Sequence, residues 1–426
     1  MSNLSDLLPA GAGAKSATFT ASGTLATGTT VALQSDGTVK AVTETTLSNS
    51  TGAGNSVVAN GENSSIGCWH EAEGVYVSFF YDNADGYLKA RAGTVSGTTI
   101  SFGTAATTPG PISSPPISAV YYPPEEKIIV AHEGYSILSL SVSGTTVTWD
   151  SNNTSFDANG TASAFGFLTY DPTYQVAVIC FQNVYNRVNC RTVQLSGTTF
   201  TFGTQVQPSG TTTTAGASCE SVYVSGVQRH FLTYDYSSFN QQLYTILQVT
   251  AATGSNLSFT SPAVLANGYY YFNQGLGLAY DPDEDFIVIN YSDMSNSYYG
   301  TVQGRRISTS TITASTNATV YGSYQANYQD AVYNTAAGKA FIGWQHDADL
   351  DVIGVSIETL PSSGAVTFGT QFNIGDSSAI RERNSAAGHF IIYDPDDKRI
   401  IAQWQEYVSS PYQINAYVIT QSYTET

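Results

Sequence analysis

The sequence predicts an all-β fold: a seven-bladed β-propeller of four-stranded blades carrying a short N-terminal arm. Three observations predict it: a turn phrase that recurs along the chain, a hairpin phrase that alternates with it, and a composition suited to strands. Of 426 residues, 42% are hydrophobic and only 11% charged, with 29 Tyr among many Ser, Thr, Asn and Gly. Aromatic and β-branched content of this kind fits half-buried pleated surfaces and is too apolar for disorder.

The turn phrase is "VSGTTISFGT" from Val95, which returns as "VSGTTVTWDS" from Val142 and "LSGTTFTFGT" from Leu195. Its glycines are Gly97, Gly144, Gly197, Gly254 and Gly364, with a degenerate copy, "ISTSTITAS" from Ile307, between the last two. Steps of 47, 53 and 57 residues, then 110 for two units, give a wandering period of about 50, the habit of propeller blades. Glycine in this setting supplies a turn with positive φ and argues against a phosphate loop.

The hairpin phrase reads "VYYPPEEKIIVAHE" from Val120, "LTYDPTYQVAVICF" from Leu168, "LAYDPDEDFIVINY" from Leu278, "AVYNTAAGKAFIGW" from Ala331 and "IIYDPDDKRIIAQW" from Ile391. Looser copies are "CWHEAEGVYVSFF" from Cys68 and "SVYVSGVQRHFLTY" from Ser221, which makes seven. Pro pre-sets the turn dihedral and Asp bonds the backbone beyond it. A third strand and the SGTT turn into a fourth complete each unit, the strand count of a blade; eight blades is the alternative count.

The seventh unit stops after "INAYVITQSYTET", one strand short. Near the other end, "LQSDGTVKAVTETT" from Leu33 has the shape of the SGTT phrase, so a segment within residues 30 to 60 is expected to supply the outer strand of the last blade. Residues 1–29 are then an arm and residues 30–426 the propeller.

The net charge of -18, from 33 acidic and 15 basic residues without a basic run, argues against nucleic-acid tracking and polybasic membrane contact. No stretch approaches a membrane span, and the start lacks the basic and apolar regions of a secretory signal. Cys68, Cys180, Cys190 and Cys219 lack the short spacings of a zinc site. They read as buried small apolar residues, with a Cys180–Cys190 disulfide as the open alternative.

Propeller geometry places the acidic hairpin turns and the SGTT turns on one face and the long loops on the other. Those loops are rich in Tyr and Trp beside Asn, Gln and Asp, a chemistry suited to sugar rings or a protein surface. The candidate ligand-binding residues there are Tyr236, Tyr269, Tyr270, Tyr298, Tyr299, Trp344, Trp404 and Tyr412. No catalytic residue is assigned. Glu71 and Asp281 would be the carboxylates of a glycosidase, but both occupy turn positions, and Arg305, Arg306, Arg381 and Arg383 form no evident substrate clamp. His346, Asp347, Asp349 and Asp351, and the group Asp281, Asp283, Glu284 and Asp285, could offer oxygen to calcium, yet neither has a full calcium-loop spacing. No cofactor and no metal site is predicted. Asn152, Asn256 and Asn317 begin Asn-X-Ser/Thr triplets, which this Ser/Thr content produces by chance.

The segment "LLPAGAGAKSATFTASGTLATGTTVALQSDGTVKAV", with its Gly-Thr-x-Val-x-Leu-x-x-Asp-Gly-Thr-Val phrase over Gly28–Val39, followed by repeats such as "YDPDEDFIVINYSD", resembles structural proteins of tailed bacteriophages, particularly marine and cyanobacterial ones. The resemblance spans essentially the whole chain. It implies a non-enzymatic virion component of tail-fibre or decorating type, made in the host cytoplasm and carried outside on the particle. The arm, with Leu4, Leu7, Leu8 and Phe19, would attach it to copies of itself or to other virion proteins, and the loop face would contact host glycans or proteins. With so short a stretch before the ring, a compact subunit fits better than a long fibre. A lectin-like subunit of a non-viral extracellular filament is the alternative, and a glycan-cleaving propeller the third reading.

Overall fold

The computed structural model describes residues 20–21, 31–33, 38–41, 47–58, 62–82, 84–112, 114–157, 166–183, 185, 187–208, 219–236, 241–252, 254, 256–267, 276–293, 296–346, 351–375, 391–406 and 413–423. The chain divides into two compact units, Met1–Ser48 with Gln421–Thr426, and Asn49–Thr420. The assembly-arm candidates Leu4, Leu7, Leu8 and Phe19 lie outside the described residues. In the smaller unit β1 (Val31–Leu33) pairs antiparallel with β2 (Val39–Ala41), and Val39 also donates its N–H to Thr20 O at 2.9 Å.

The larger unit is built from antiparallel sheets. After β3 (Leu47–Thr51) and β4 (Asn55–Val58), the first sheet holds β5 (Glu62–His70), β6 (Val75–Asp82), β7 (Tyr87–Ser96), β8 (Thr99–Phe102) and the short β9 (Ala106–Thr107). The second holds β10 (Pro116–Tyr122), β11 (Lys127–His132), β12 (Ser136–Ser143), β13 (Thr146–Trp149) and β14 (Thr154–Ser155). The third is β15 (Gly166–Asp171), β16 (Val176–Gln182), β17 (Val188–Ser196) and β18 (Thr199–Phe202). The fourth is β19 (Cys219–Val224), β20 (Arg229–Tyr236), β21 (Gln241–Val249), β22 (Leu257–Phe259) and β23 (Ala263–Asn267).

The fifth set, β24 (Leu276–Asp281), β25 (Phe286–Asp293), β26 (Tyr299–Ile307) and β27 (Ile312–Ser315), is continuous with the sixth through β28 (Thr319–Asn334). The early part of β28 pairs with β26 and its later part with β29 (Lys339–His346), which leads to β30 (Val352–Thr359), β31 (Thr367–Phe368) and β32 (Phe372–Gly375). The seventh is β33 (Ile391–Asp394), β34 (Arg399–Glu406) and β35 (Gln413–Tyr423), and on the outer side of β35 lie β3 and β4. The segments paired with β35 are therefore 47–51 and 55–58, while Leu33 and Val39 of the upstream phrase pair with each other.

Each hairpin turn has a local cause. Asp171, Asp281 and Asp394 each use Oδ1 to accept the amides two and three residues on, at 2.9–3.1 Å, and Asn334 does the same. The residue that closes the turn is left-handed: Gly74, Glu126, Gln175, Gln228, Asp285, Gly338 and Lys398 have φ between 50° and 60°. Only two of these are glycines, which is why the hairpin phrase lacks the fixed Gly of the SGTT phrase. There Gly97, Gly144, Gly197, Gly254 and Gly364 all have positive φ, from 55° to 106°.

The sheets pack face against face. The inner strands touch in sequence, β5 against β10, β10 against β15, then β19, β24, β28 and β33, and β33 lies against β5. Between each successive pair sits an apolar layer, among them one of Ile117, Ile129, Ile179 and Phe181 and one of Val57, Tyr76, Phe80, Ile401 and Val418 that joins the seventh sheet to the first. Second strands are consequently buried on both faces, as in Val176–Gln182, while outer strands such as β8 alternate. Polar groups tie the same layers. Ser118 Oγ accepts Leu168 N–H at 3.0 Å, Glu220 accepts Leu278 N–H at 2.9 Å, and Asp330 accepts Ile391 N–H at 2.9 Å. Tyr76 Oη donates to Gln403 Oε1 at 2.6 Å between the first and seventh sheets.

The glycine of the first "FGT" has a packing reason. The N–H of Gly52, Gly103, Gly203 and Gly369 bonds back to the third strand, at Val418, Ala92, Thr192 and Ser356. A β-carbon on Gly52 or Gly103 would run into Thr98 or Thr145, the Thr of the next sheet's turn. At Gly103 the phrase is thus complementary to its own next copy, whereas a β-carbon on Gly203 would meet Thr192 and Asn256, and one on Gly369 would meet Glu358. All four cysteines are buried and none forms a disulfide; Cys180 and Cys190 stand opposite each other on β16 and β17.

Candidate functional site: a groove between neighbouring sheets

On β7, strand alternation sends Lys89 and Arg91 to one side, toward the outer segments of the seventh sheet. There they line a groove of about 460 Å³ with Val57, Phe80, Asp82, Phe102, Gly103, Thr104 and Ala105. The volume falls within the range of small-ligand sites, roughly 300–1,000 Å³.

Arg91 is fixed from two directions. Its Nε donates to Gly103 O at 2.7 Å and its Nη1 to Val57 O, while the guanidinium lies 5.5 Å from the centre of the Phe102 ring. Burial holds its pKa below the usual arginine value, and the group stays charged. Two of its five N–H donors, those on Nε and Nη1, face carbonyls of the protein. Lys89 donates to Asp82 Oδ2 at 2.7 Å and lies 2.5 Å from Asp85 Oδ2. Burial pulls its ammonium down, but the bonds to Asp82 and Asp85 outweigh this and raise it. Asp82 is held in turn by Ala84 N–H at 3.0 Å. The groove therefore combines an aromatic face, a preorganised cation, a carboxylate and the exposed Thr104.

The loop-face candidates are dispersed. Trp344 and Trp404 are core residues: Trp344, 2% exposed, meets Tyr321 at 4.4 Å, and Trp404, 5% exposed, stacks on Tyr417 at 4.3 Å. Their expected place on a ligand-facing surface is corrected by that packing. Tyr298 is half-buried with φ 63°, in the turn before β26, and Tyr299 opens that strand. Tyr236 ends β20, and Tyr269, Tyr270 and Tyr412 lie outside the described residues. Among the described residues the exposed tyrosines are Tyr185 and Tyr324, at 67% and 52%, and Tyr324 meets His346 edge-on at 4.5 Å.

The carboxylate candidates belong to turns. Asp281 is 3% exposed and its Oδ1 holds Asp283 and Glu284, while Glu71 is exposed in the first hairpin turn. Arg305 bonds Gln303, and Arg306 bonds the carbonyls of Asp285 and Glu284 above Phe286; Arg381 and Arg383 lie outside the described residues. Among the described residues no group of three or more His, Cys, Asp or Glu could hold a metal; Asp347 and Asp349 lie outside them. Asp351 accepts from Asn373 Nδ2 at 2.8 Å. No helix of the described residues is long and apolar enough to cross a membrane.

His70 and His132, 1% and 4% exposed, serve the hairpins. In each, Nδ1 accepts a main-chain N–H, from Glu73 at 3.2 Å and Gly134 at 3.3 Å, so the proton sits on Nε2, which donates to Glu126 O or Asn153 Oδ1. Burial lowers both pKa values, against the opposing pull of those acceptors. A depressed histidine contributes stability that is complete above the ordinary value near 6.5 and lost as pH falls through that value toward the folded one. Urea unfolding should therefore show stability falling between about pH 7 and pH 5.5, and His132→Gln should flatten that fall. Asp281 and Asp394, raised by burial, act in the opposite sense at lower pH.

No family model and no curated protein matches this chain. Solved structures do. A protein from Lactobacillus plantarum is 12% identical over 72% of this chain and 83% of its own, with a TM-score of 0.52. BBS1N, solved in complex with ARL6DN, is 11% identical over 87% of this chain and 96% of its own, with a TM-score of 0.51. AofleA from Arthrobotrys oligospora is 8% identical over 81% and 96%, at 0.47. At these identities the likeness concerns fold alone: an all-β, propeller-like arrangement of antiparallel sheets.

Proposed function

We propose that the Asn49–Thr420 unit is a seven-bladed β-propeller and that the protein is a non-catalytic adhesion subunit that binds a saccharide in the Arg91 groove. Seven inter-sheet layers and the contact of β33 with β5 support the blade count. The observation that carries the binding reading is the guanidinium clamped over Phe102 beside Asp82 and Lys89. Ring hydroxyls would meet Arg91 as donor and Asp82 as acceptor, and the C–H face of a sugar would lie on apolar lining. The net charge of -18 disfavours an anionic polymer at long range, so the ligand is a neutral saccharide.

The N-terminal phrase and the repeats, in their likeness to tailed-phage structural proteins, support a place on the outside of a virion. Residues 1–29 would then attach the subunit to copies of itself or to other virion proteins, with host-surface glycan as the propeller's ligand.

Thr104 provides the test, because it is exposed in the groove. On an array of neutral and acidic oligosaccharides the native protein is expected to bind neutral members, and Thr104→Trp to bind them at least about tenfold more weakly with an unchanged unfolding midpoint. Undiminished binding by Thr104→Trp would remove the groove from consideration.

A further inference from the structure

We propose a second saccharide site between the second and third sheets, centred on Arg191; it rests on the reading of the Arg91 groove. The back-bond of each fourth strand fixes equivalent positions: Gly103 to Ala92, Asp150 to Ser139, Gly203 to Thr192, Thr260 to Ile246, Thr316 to Gly304, Gly369 to Ser356 and Gly52 to Val418. The residue just before each acceptor is Arg91, Leu138, Arg191, Thr245, Gln303, Val355 and Tyr417. Arginine stands at this position in the first and third sheets and in no other.

Its surroundings are repeated with it. Arg191 Nε donates to Gly203 O at 2.9 Å and Nη1 to Phe156 O at 2.7 Å, and the guanidinium lies 4.8 Å from the Phe202 centroid. These partners match Gly103, Val57 and Phe102 one for one. Phe156, like Val57, belongs to the outer part of the preceding sheet: it follows β14, bonds its N–H to Tyr135 O, and is fully buried. Thr204 repeats Thr104 and is exposed as well. Such a doubly clamped arginine is costly in conformational freedom and charge burial, and neither clamp is needed by the five sheets that lack the residue.

The two sites differ at their rims. Lys89, opposite Phe80, is replaced by Asn189, opposite Phe181, with its Nδ2 held by Arg187 O at 2.9 Å. Asp82 is replaced by Asn183, which likewise holds its own turn, through Tyr185 and Arg187 N–H. The second rim is amide in place of ion pair, and the buried Asp157, which follows Phe156, adds near Arg191 a carboxylate that the first site lacks after Val57. One chain thus carries two sites for neutral sugar, two repeats apart, which raises avidity for a surface that displays many copies.

The test is stoichiometry. The neutral array member bound best by the native protein is titrated into native protein, Thr104→Trp, Thr204→Trp and the double variant, with bound copies per chain counted by native mass spectrometry. Two, one, one and none are expected. The Thr204 N–H to Gly254 O bond is a main-chain bond and survives the substitution, and circular dichroism of each variant checks the fold. One copy on native protein, lost in Thr104→Trp and kept in Thr204→Trp, would overturn the second site and leave the first standing. No binding by native protein, or binding indifferent to Thr104→Trp, would overturn the groove reading and the second site with it.

Discussion

Removal of residues 1–58 is expected to abolish cooperative folding, whereas removal of residues 1–46 leaves the larger unit intact. The longer deletion takes β3 and β4 from the outer side of β35 and strips Val57, fully buried, from the layer that joins the seventh sheet to the first. Burial of one such side chain contributes about 1.5–3 kcal/mol. Asn55 goes as well: its Nδ2 donates to Thr98 O and Ala416 O, and its Oδ1 accepts Ile100 N–H at 3.0 Å, which ties the two sheets. Each of those bonds contributes about 0.5–1.5 kcal/mol, and their loss leaves a buried edge on β35 unpaired. The total approaches the net stability of a typical domain, roughly 5–15 kcal/mol. Urea unfolding followed by tryptophan fluorescence decides it. A cooperative transition at the native midpoint in the 59–426 chain would refute the closing role of these strands.

Gly103→Val is expected to destabilise the larger unit by about 2–3 kcal/mol, the cost of forcing extra carbons into a packed contact. A β-carbon there would press on the carbonyl of Thr145 and stand 2.9 Å from its Cβ and Oγ1, which belong to the next sheet's turn. The same residue gives its carbonyl to Arg91, so saccharide binding in the first groove should fall with stability. Gly110→Ala is the control. Nothing lies within 4 Å of a β-carbon at that position, and a change within about 0.5 kcal/mol is expected. Equal midpoints for the two variants would show that Gly103 has no packing role.

What was legible in the sequence was whatever a few neighbouring residues decide. The SGTT turns were, because positive φ selects glycine, and Asp281 and Asp394 were, because an Asx turn is complete within four residues. Trp344 and Trp404 misled, since each ends a buried strand run and begins a polar one, "WQHD" and "WQEY", so that the neighbours gave the appearance of a loop. Tyr321 and Tyr417, which bury them, come from other strands. The groove was missed although a signal existed: Arg91 and Phe102 recur as Arg191 and Phe202, each pair at the same offset within its repeat.

The sequence by itself determined the strand-rich class, the repeating unit and the chemistry of both turn types, all of which rest on local dihedral preference and period-two alternation. Tertiary structure alone decided that segments 47–51 and 55–58 pair with β35, that Gly103 meets Thr145 of the next sheet, and that Arg91 and Arg191 are clamped between sheets. Those outcomes depend on which carbonyl or side chain a neighbouring sheet brings within a few ångströms. Its partner residues lie tens to hundreds of positions away, beyond the reach of any local preference.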